Sequence, residues 1–372
     1  MNKKIIIIAI AILFLLPGAD TAFAAEIDTL EELGKEIFFD ENLSTPKGQS
    51  CASCHTPEAG FADPNSELPV SKGVLPQNRF GNRNSPTAAY AAYSPEFGTI
   101  QENGETLYVG GQFWDGRAKD LEEQAKGPFL NPLEMNNPNE RVVIVKIANS
   151  EYAEDFERLT GVDLGDRSAE NIELAYNEVA RAIAAFERTD EVNQFSSKYD
   201  LYLAGEATFT EEEEWGLELF NSEQTMCSDC HPSAGEKPLF TDFTYDNSGT
   251  PKNMDNPFYD LPKKFNPDGD NFIDYGLGGV LGIESENGKM KVPTLRNIAV
   301  TAPYMHNGVF TDLRTVVDFY NTRDTPDADW DAPEVAQNVN EDELGDLELE
   351  PNEVDAIVAF LETLTDGYEP EN

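Results

Sequence analysis

Histidine is nearly missing from this chain: His55, His231 and His306 are the only three in 372 residues. Cysteine stops at four residues and tryptophan at three. Basic residues are few beside the acids, 26 Lys and Arg against 70 Asp and Glu, so the formal net charge is −44. A surface of that sign repels phosphate backbones, which makes nucleic acid an unfit partner. Long apolar runs are lacking too. The run at residues 5–16 is too short to cross a bilayer comfortably, and no second run of spanning length follows it. Strand-like alternation of apolar and polar residues is sparse throughout.

What is present is concentrated. Cys51-Ala-Ser-Cys54-His55 and Cys227-Ser-Asp-Cys230-His231 use every cysteine and two of the three histidines. Each C-x-x-C-H motif offers two thiols for thioether attachment of a heme and an adjacent histidine to ligate its iron, so the chain reads as a di-heme c-type cytochrome. A disulfide or a Cys2His zinc site competes, but zinc wants a fourth nearby ligand and only His306 is left. The N-terminus is consistent with heme attachment outside the cytoplasm. Lys3 and Lys4 precede the apolar run, and Ala22-Phe-Ala24 follows it, the pattern of a secretory signal peptide over residues 1–24. The mature protein is expected in a bacterial periplasm, with no stable membrane span after cleavage. Removal of Lys3, Lys4 and Asp20 takes the formal charge to −45. The acid is densest from Asp324 to Asp355, as a surface suited to salt or as a docking face for a basic redox partner.

The two motifs begin at positions 51 and 227, and the mature length exceeds one ordinary core. Two cytochrome c-like heme domains are expected, at 25–204 and 205–372, mainly α with long loops. Their flanks suggest an old duplication: Gly34-Lys-Glu-Ile-Phe38 and Gly216-Leu-Glu-Leu-Phe220 precede the motifs, while Gly60-Phe61-Ala-Asp63 and Leu239-Phe240-Thr-Asp242 follow them. Helical spacing runs through Ile172, Tyr176, Val179, Ile183 and Phe186 after an N-cap at Ser168, and stops near Thr189. Thr210 with Glu213 predicts a capping box, and Pro351 a first helical turn. The domain boundary is expected in the polar stretch from Tyr199 to Phe209.

At Gln112-Phe-Trp114-Asp-Gly-Arg117, Glu123-Gln-Ala-Lys-Gly-Pro128 and Asn131-Pro-Leu-Glu134-Met135 the chain resembles the bacterial di-heme cytochrome c peroxidase and MauG superfamily. The likeness continues through Arg83-Asn-Ser-Pro86-Thr87, Val292-Pro-Thr-Leu-Arg-Asn297 and Thr301-Ala-Pro-Tyr-Met-His306-Asn-Gly308. The resemblance implies that the N-terminal heme reacts with hydrogen peroxide, that the C-terminal heme exchanges or stores electrons, and that a tryptophan lies between them. His55 and His231 would be proximal ligands and Trp114 the bridge. Gln124, Pro128 and Glu134 would lie on the distal side, with Glu134 as proton shuttle, because O–O heterolysis moves a proton from one oxygen to the other. Asn84, Thr301 and Pro303 match the family's calcium site, whose hard oxygen ligands suit that ion.

Two departures set the subclass. Classical members close the reactive heme with a distal histidine, and the segment from Ser71 to Asn84 has none; Val74 to Pro76 falls at its place. The reactive heme is therefore expected to be open without reductive activation. The second heme's distal ligand is methionine in classical members and tyrosine in MauG. Tyr320 stands at that position, on an apparent helix with Leu313, Val316 and Val317, while Met305 or Met290 is the alternative. An anionic phenolate favours higher oxidation states and a thioether the ferrous one. The expected activity is oxidation of a partner protein, most simply at a tryptophan. Its rivals are a constitutively active peroxidase fed by a small cytochrome and a non-catalytic electron carrier. MauG passes oxidising power through a surface tryptophan two residues before the second motif. Thr225 stands there, leaving Trp215 and Trp330 as unranked exits.

Overall fold

The structure, a computed structural model, describes residues 27–75, 78–102 and 104–370. The expected signal peptide and Pro76 lie outside the described residues. In chain order the helices are α1 (Leu30–Phe39), α2 (Leu121–Leu130), α3 (Glu140–Ile147), α4 (Ala153–Thr160), α5 (Ala169–Glu187), α6 (Lys198–Ala204), α7 (Glu211–Phe220), α8 (Cys227–Cys230), α9 (Gly276–Leu281), α10 (Leu313–Thr322) and α11 (Pro351–Glu362). Long loops connect them, and the molecule is mainly α as expected. Among the described residues, no helix is long and apolar enough to cross a membrane.

The helix starts follow local chemistry. Thr29 and Glu32 close a capping box at α1, and Thr210 and Glu213 close the expected one at α7. Ser168 caps α5 through the Asn171 N–H, and α5 ends at Glu187, close to the predicted stop. Pro351 opens α11, where its missing N–H costs nothing.

A small cluster forms around Phe258, Tyr259 and Leu261, and the two larger hydrophobic cores repeat one design. In the first, α1 crosses α5 with Leu33, Ile37 and Phe38 packed near Ile183 and Phe186. In the second, α7 crosses α11 with Phe220 against Phe360. Each crossing is made at a glycine. A Cβ on Gly34 would lie 1.9 Å from the Ala182 carbonyl oxygen, and one on Gly216 would lie 1.9 Å from that of Ala356. The equivalence extends to the loops discussed below. Helix α6, near the expected boundary, turns Tyr199 onto Phe240 and Phe360 of the second core.

A hairpin escaped the sequence reading: β1 (Gly98–Glu102) pairs antiparallel with β2 (Glu105–Val109). Both strands are largely exposed, so no buried face imposed a period of two on their residues. A second pair, β3 (Tyr245–Asp246) with β4 (Met290–Lys291), and a bridge from Val109 to Thr244 tie the halves together. The stronger tie is ionic. Arg83 donates to Asp115 at 2.6 Å and to both oxygens of Asp274 at 2.6 and 2.7 Å, with all three side chains nearly buried.

Candidate active site

The first motif occupies a tight turn at Cys51–Ser53, which leaves His55 pointing back toward Phe61. His55 Nδ1 lies 3.1 Å from the Phe61 carbonyl oxygen, and His231 Nδ1 lies 2.7 Å from that of Phe240. A carbonyl only accepts, so Nδ1 carries the proton and the Nε2 lone pair is left for a metal. Phe61 and Phe240 both adopt left-handed backbone, at φ 59° and 52°, which turns each carbonyl onto its imidazole. Burial holds both rings neutral: His55 is shifted below its ordinary value and His231 falls to about 4. A neutral imidazole with a fixed tautomer is what an iron ligand requires.

All four cysteines are unpaired and half-buried. Burial pushes their thiols up, Cys54 to about 12 and Cys227 to about 11, so they stand as neutral thiols beside their histidines. Neither pair forms a disulfide, and the two oriented imidazoles suit heme c. The donor sets therefore fit the group the motifs imply.

Around the second motif lies a mostly apolar cavity of about 300 Å³, bounded by Cys227, Cys230, His231, Met305, Tyr320 and Leu347 among others. Asp312 caps α10, and the helix then buries Phe319 in the core while Tyr320 lines the cavity. The Tyr320 hydroxyl donates toward the Met305 sulfur at 4.0 Å. Burial, with Cys230 and Asp246 adding to it, pushes the Tyr320 phenol well above its ordinary value. A phenolate there needs a neighbouring cation such as ferric iron. Met290 lines the same cavity, but Met305 is the methionine in contact with Tyr320.

The cavity continues to the junction between the halves, where Trp114, Asn84, Thr301 and Pro303 line it. The Trp114 N–H donates to the Asn84 carbonyl at 2.9 Å, and the Trp114 carbonyl accepts from the Lys291 N–H at 2.7 Å. Trp114 is thus fastened to both halves. The three calcium candidates all line this cavity, and the Asn84 N–H donates to the His306 carbonyl at 2.8 Å.

Gln124 and Pro128 share one face of α2, one turn apart. Proline has no N–H for the Gln124 carbonyl, and α2 ends two residues later. A turn then brings Glu134 back, its N–H donating to the Asn131 carbonyl at 3.1 Å. Burial raises the Glu134 carboxyl above its ordinary range, against the opposing pull of Arg117 and the Asn131 side chain. Its charge acts on both Cys51 and Cys54, which puts it beside the first motif. The Val74 N–H donates to the Glu134 carbonyl at 3.0 Å, and Val74 is itself buried. Gly73 makes this approach possible, since a Cβ there would lie 2.1 Å from the Leu133 carbonyl oxygen. The segment expected to lack a distal histidine is therefore docked on the Glu134 turn.

Sequence reading missed three partners. Arg117 lies 3.5 Å from the Phe113 ring centroid, pairs with Asp115 and acts on Glu134. Only its place in a quoted motif pointed to it. Asp274 and Glu334 reach Arg83 and His306 from distant loops, and nothing local signalled either pairing.

Comparison with known proteins places the chain in a family. Residues 28–208 match the family model described as di-haem cytochrome c peroxidase. The methylamine utilization protein MauG of Paracoccus denitrificans is 43% identical, over 96% of this chain and 94% of that protein. The cytochrome c551 peroxidase of Nitrosomonas europaea is 31% identical, over 94% and 84%. The crystal structure of the diheme peroxidase BthA of Burkholderia thailandensis superposes with a TM-score of 0.80 at 34% identity, covering 91% of this chain and 86% of that one. Two oriented histidines, two cysteine pairs and full-length similarity lead to one conclusion: the chain belongs to the di-haem cytochrome c peroxidase and MauG family, whose enzymes act on hydrogen peroxide.

Proposed function

We propose that this chain is an exported, periplasmic, MauG-like enzyme that spends the oxidising power of hydrogen peroxide on a partner protein, with a tryptophan side chain as the target. The observation that carries the reading is Tyr320 on the wall of the C-terminal cavity. Heme c, attached at each cysteine pair and ligated by His55 and His231, supplies the redox chemistry. The chain's own groups supply the rest. Glu134, its carboxyl made more basic by burial, accepts a proton from one peroxide oxygen as the carboxylate and then delivers it to the other as the acid. Gln124 hydrogen-bonds the bound peroxide, and Pro128 shapes the wall beside it. No histidine is available to close that side, so peroxide enters without prior reduction. Trp114 couples the two halves, and the Tyr320 phenolate stabilises the oxidised state of the second. Asn84, Thr301 and Pro303 would hold calcium between them through oxygen ligands.

A second reading has its own observation. The Met305 sulfur lies 4.0 Å from the Tyr320 hydroxyl, so a small shift would put a thioether in the phenol's place. That would make the protein a constitutively active peroxidase drawing electrons from a small cytochrome. Optical and EPR spectra of the ferric protein, before and after one equivalent of peroxide and without prior reduction, separate the two. A high-spin heme beside a low-spin His/Tyr heme, both changing to a long-lived oxidised state, is the expected result. In Glu134→Gln the same spectra should form about a hundredfold more slowly. A high-spin heme beside a low-spin heme with a methionine signature, reacting without reduction, would select the second reading, and two low-spin hemes inert until half reduced would overturn both.

A further inference from the structure

The route by which electrons reach the second site from outside is not apparent from the motifs. The position two residues before the second motif is closed: Thr225 is 2% exposed, and its hydroxyl donates to the Leu219 carbonyl at 2.5 Å. Trp215 sits on α7 at the edge of the second core, with no ring neighbour among the described residues. Trp330 is different. Its ring centroid lies 5.3 Å from that of Phe319 and 5.7 Å from that of Phe310, both edge-on. Phe319 in turn lies 5.9 Å from Tyr320, its neighbour on α10. Phe319 is fully buried, Tyr320 lines the C-terminal cavity, and Trp330 is half-buried in a surface recess with Thr322, Thr325, Asp327, Ala328 and Asp329. An unbroken aromatic column therefore joins the cavity wall to solvent.

We propose that Trp330 is the residue through which the protein draws electrons from its donor, passing them through Phe319 to Tyr320. The assignment rests on the reading of Tyr320 as the ligand of the second heme. Phenylalanine is too hard to oxidise to hold the charge, so Phe319 serves as a packed bridge and Trp330 as the stopping place. Each hydrogen peroxide takes up two electrons and two protons and becomes two waters. Both electrons come from the donor, one at a time. At each passage the Trp330 indole gives up one electron and receives one back.

The indole keeps its proton throughout. Its N–H donates to the Thr322 hydroxyl at 3.0 Å, and that hydroxyl donates to the Asp318 carbonyl at 2.7 Å. A hydroxyl is no base at neutral pH, so the oxidised species is a cation. The exposed Asp327 and Asp329, which share the recess with Trp330, set negative charge beside that cation and make its formation easier. These groups also place the recess in the most acidic part of the chain, so a donor with a basic face is favoured.

The test uses the holoprotein, one equivalent of peroxide and a ferrous, basic mitochondrial-type cytochrome c as probe. Trp330→Phe should form the peroxide-oxidised spectrum at the wild-type rate, yet oxidise the probe about tenfold more slowly or worse. Trp330→Tyr should recover part of that loss, and Trp215→Phe should behave as wild type. A second readout does not depend on turnover. With excess peroxide and no donor, peptide mass mapping should find added oxygen on Trp330 in preference to Trp215. Unchanged probe oxidation in Trp330→Phe, or oxygen placed on Trp215 instead, would overturn the exit assignment alone. Absence of the long-lived oxidised state in the wild-type protein would overturn the reading of Tyr320 as the second heme's ligand, and this proposal with it.

Discussion

Glu187, the last residue of α5, shows how one buried carboxyl shapes behaviour. It is 6% exposed, and its Oε2 has no hydrogen-bond partner. Burial raises its pKa from 4.5 to about 8, against the opposing charge of Arg188. The folded chain therefore keeps a proton that the unfolded chain releases between those values. Stability from this group is full below about pH 4.5 and declines as pH rises toward 8, a swing on the order of a few kcal/mol. Glu187→Gln removes the titration. Its urea midpoint should change less between pH 5 and pH 8 than the wild-type midpoint, and equal slopes would show that Glu187 ionises freely. Glu134 is also raised by burial, but Arg117 and Asn131 oppose the shift. Both acids act on Cys51 of the first motif, but they differ in partners: Glu187 has none at Oε2, whereas Arg117 and the Asn131 side chain counter the shift at Glu134.

Among elements, the paired helix crossings dominate. The crossings of α1 with α5 and α7 with α11 depend on a backbone approach that only glycine permits. Gly34→Ala and Gly216→Ala should each lower stability by about 1–3 kcal/mol in denaturant titrations, because the new Cβ meets a carbonyl oxygen rather than a flexible side chain. Gly127→Ala offers the contrast. Its Cβ would meet only the Phe113 ring at 3.5 Å, an ordinary contact, so the substitution should be tolerated. Helix propensity by itself favours alanine at all three positions, so a loss of similar size at Gly127 would show that the crossing is not what sets the cost. The exposed β1–β2 hairpin makes the opposite point: it forms by local pairing without a buried face, and its residues carry no periodic signature.

At the scale of the molecule, charge is the leading variable. A chain of formal charge −44 repels itself when compact. Raising salt from about 0.05 to 1 M shortens the Debye length from roughly 14 to 3 Å and should raise the melting temperature. The ties between halves are spared this screening, because Arg83, Asp115 and Asp274 are nearly buried. A melting temperature that falls with salt would show that exposed ion pairs outweigh the repulsion.

The sequence by itself determined the cofactor chemistry, the family and the main helices. Those features rest on local signals: C-x-x-C-H spacing, the capping box at Thr210, the first-turn proline at Pro351, and the apolar stripe of α5. It also marked Gly34 and Gly216 as equivalent without saying why. Tertiary structure alone decided how distant groups meet. It turned the Phe61 and Phe240 carbonyls onto the histidines, set Val74 on the Glu134 turn, and joined Arg83 to Asp115 and Asp274. It also placed Trp330 at the end of an aromatic column that begins at Tyr320. The division has a physical cause. Caps and motifs act within a few residues, whereas burial, tautomer and ring packing depend on segments brought together by the two cores.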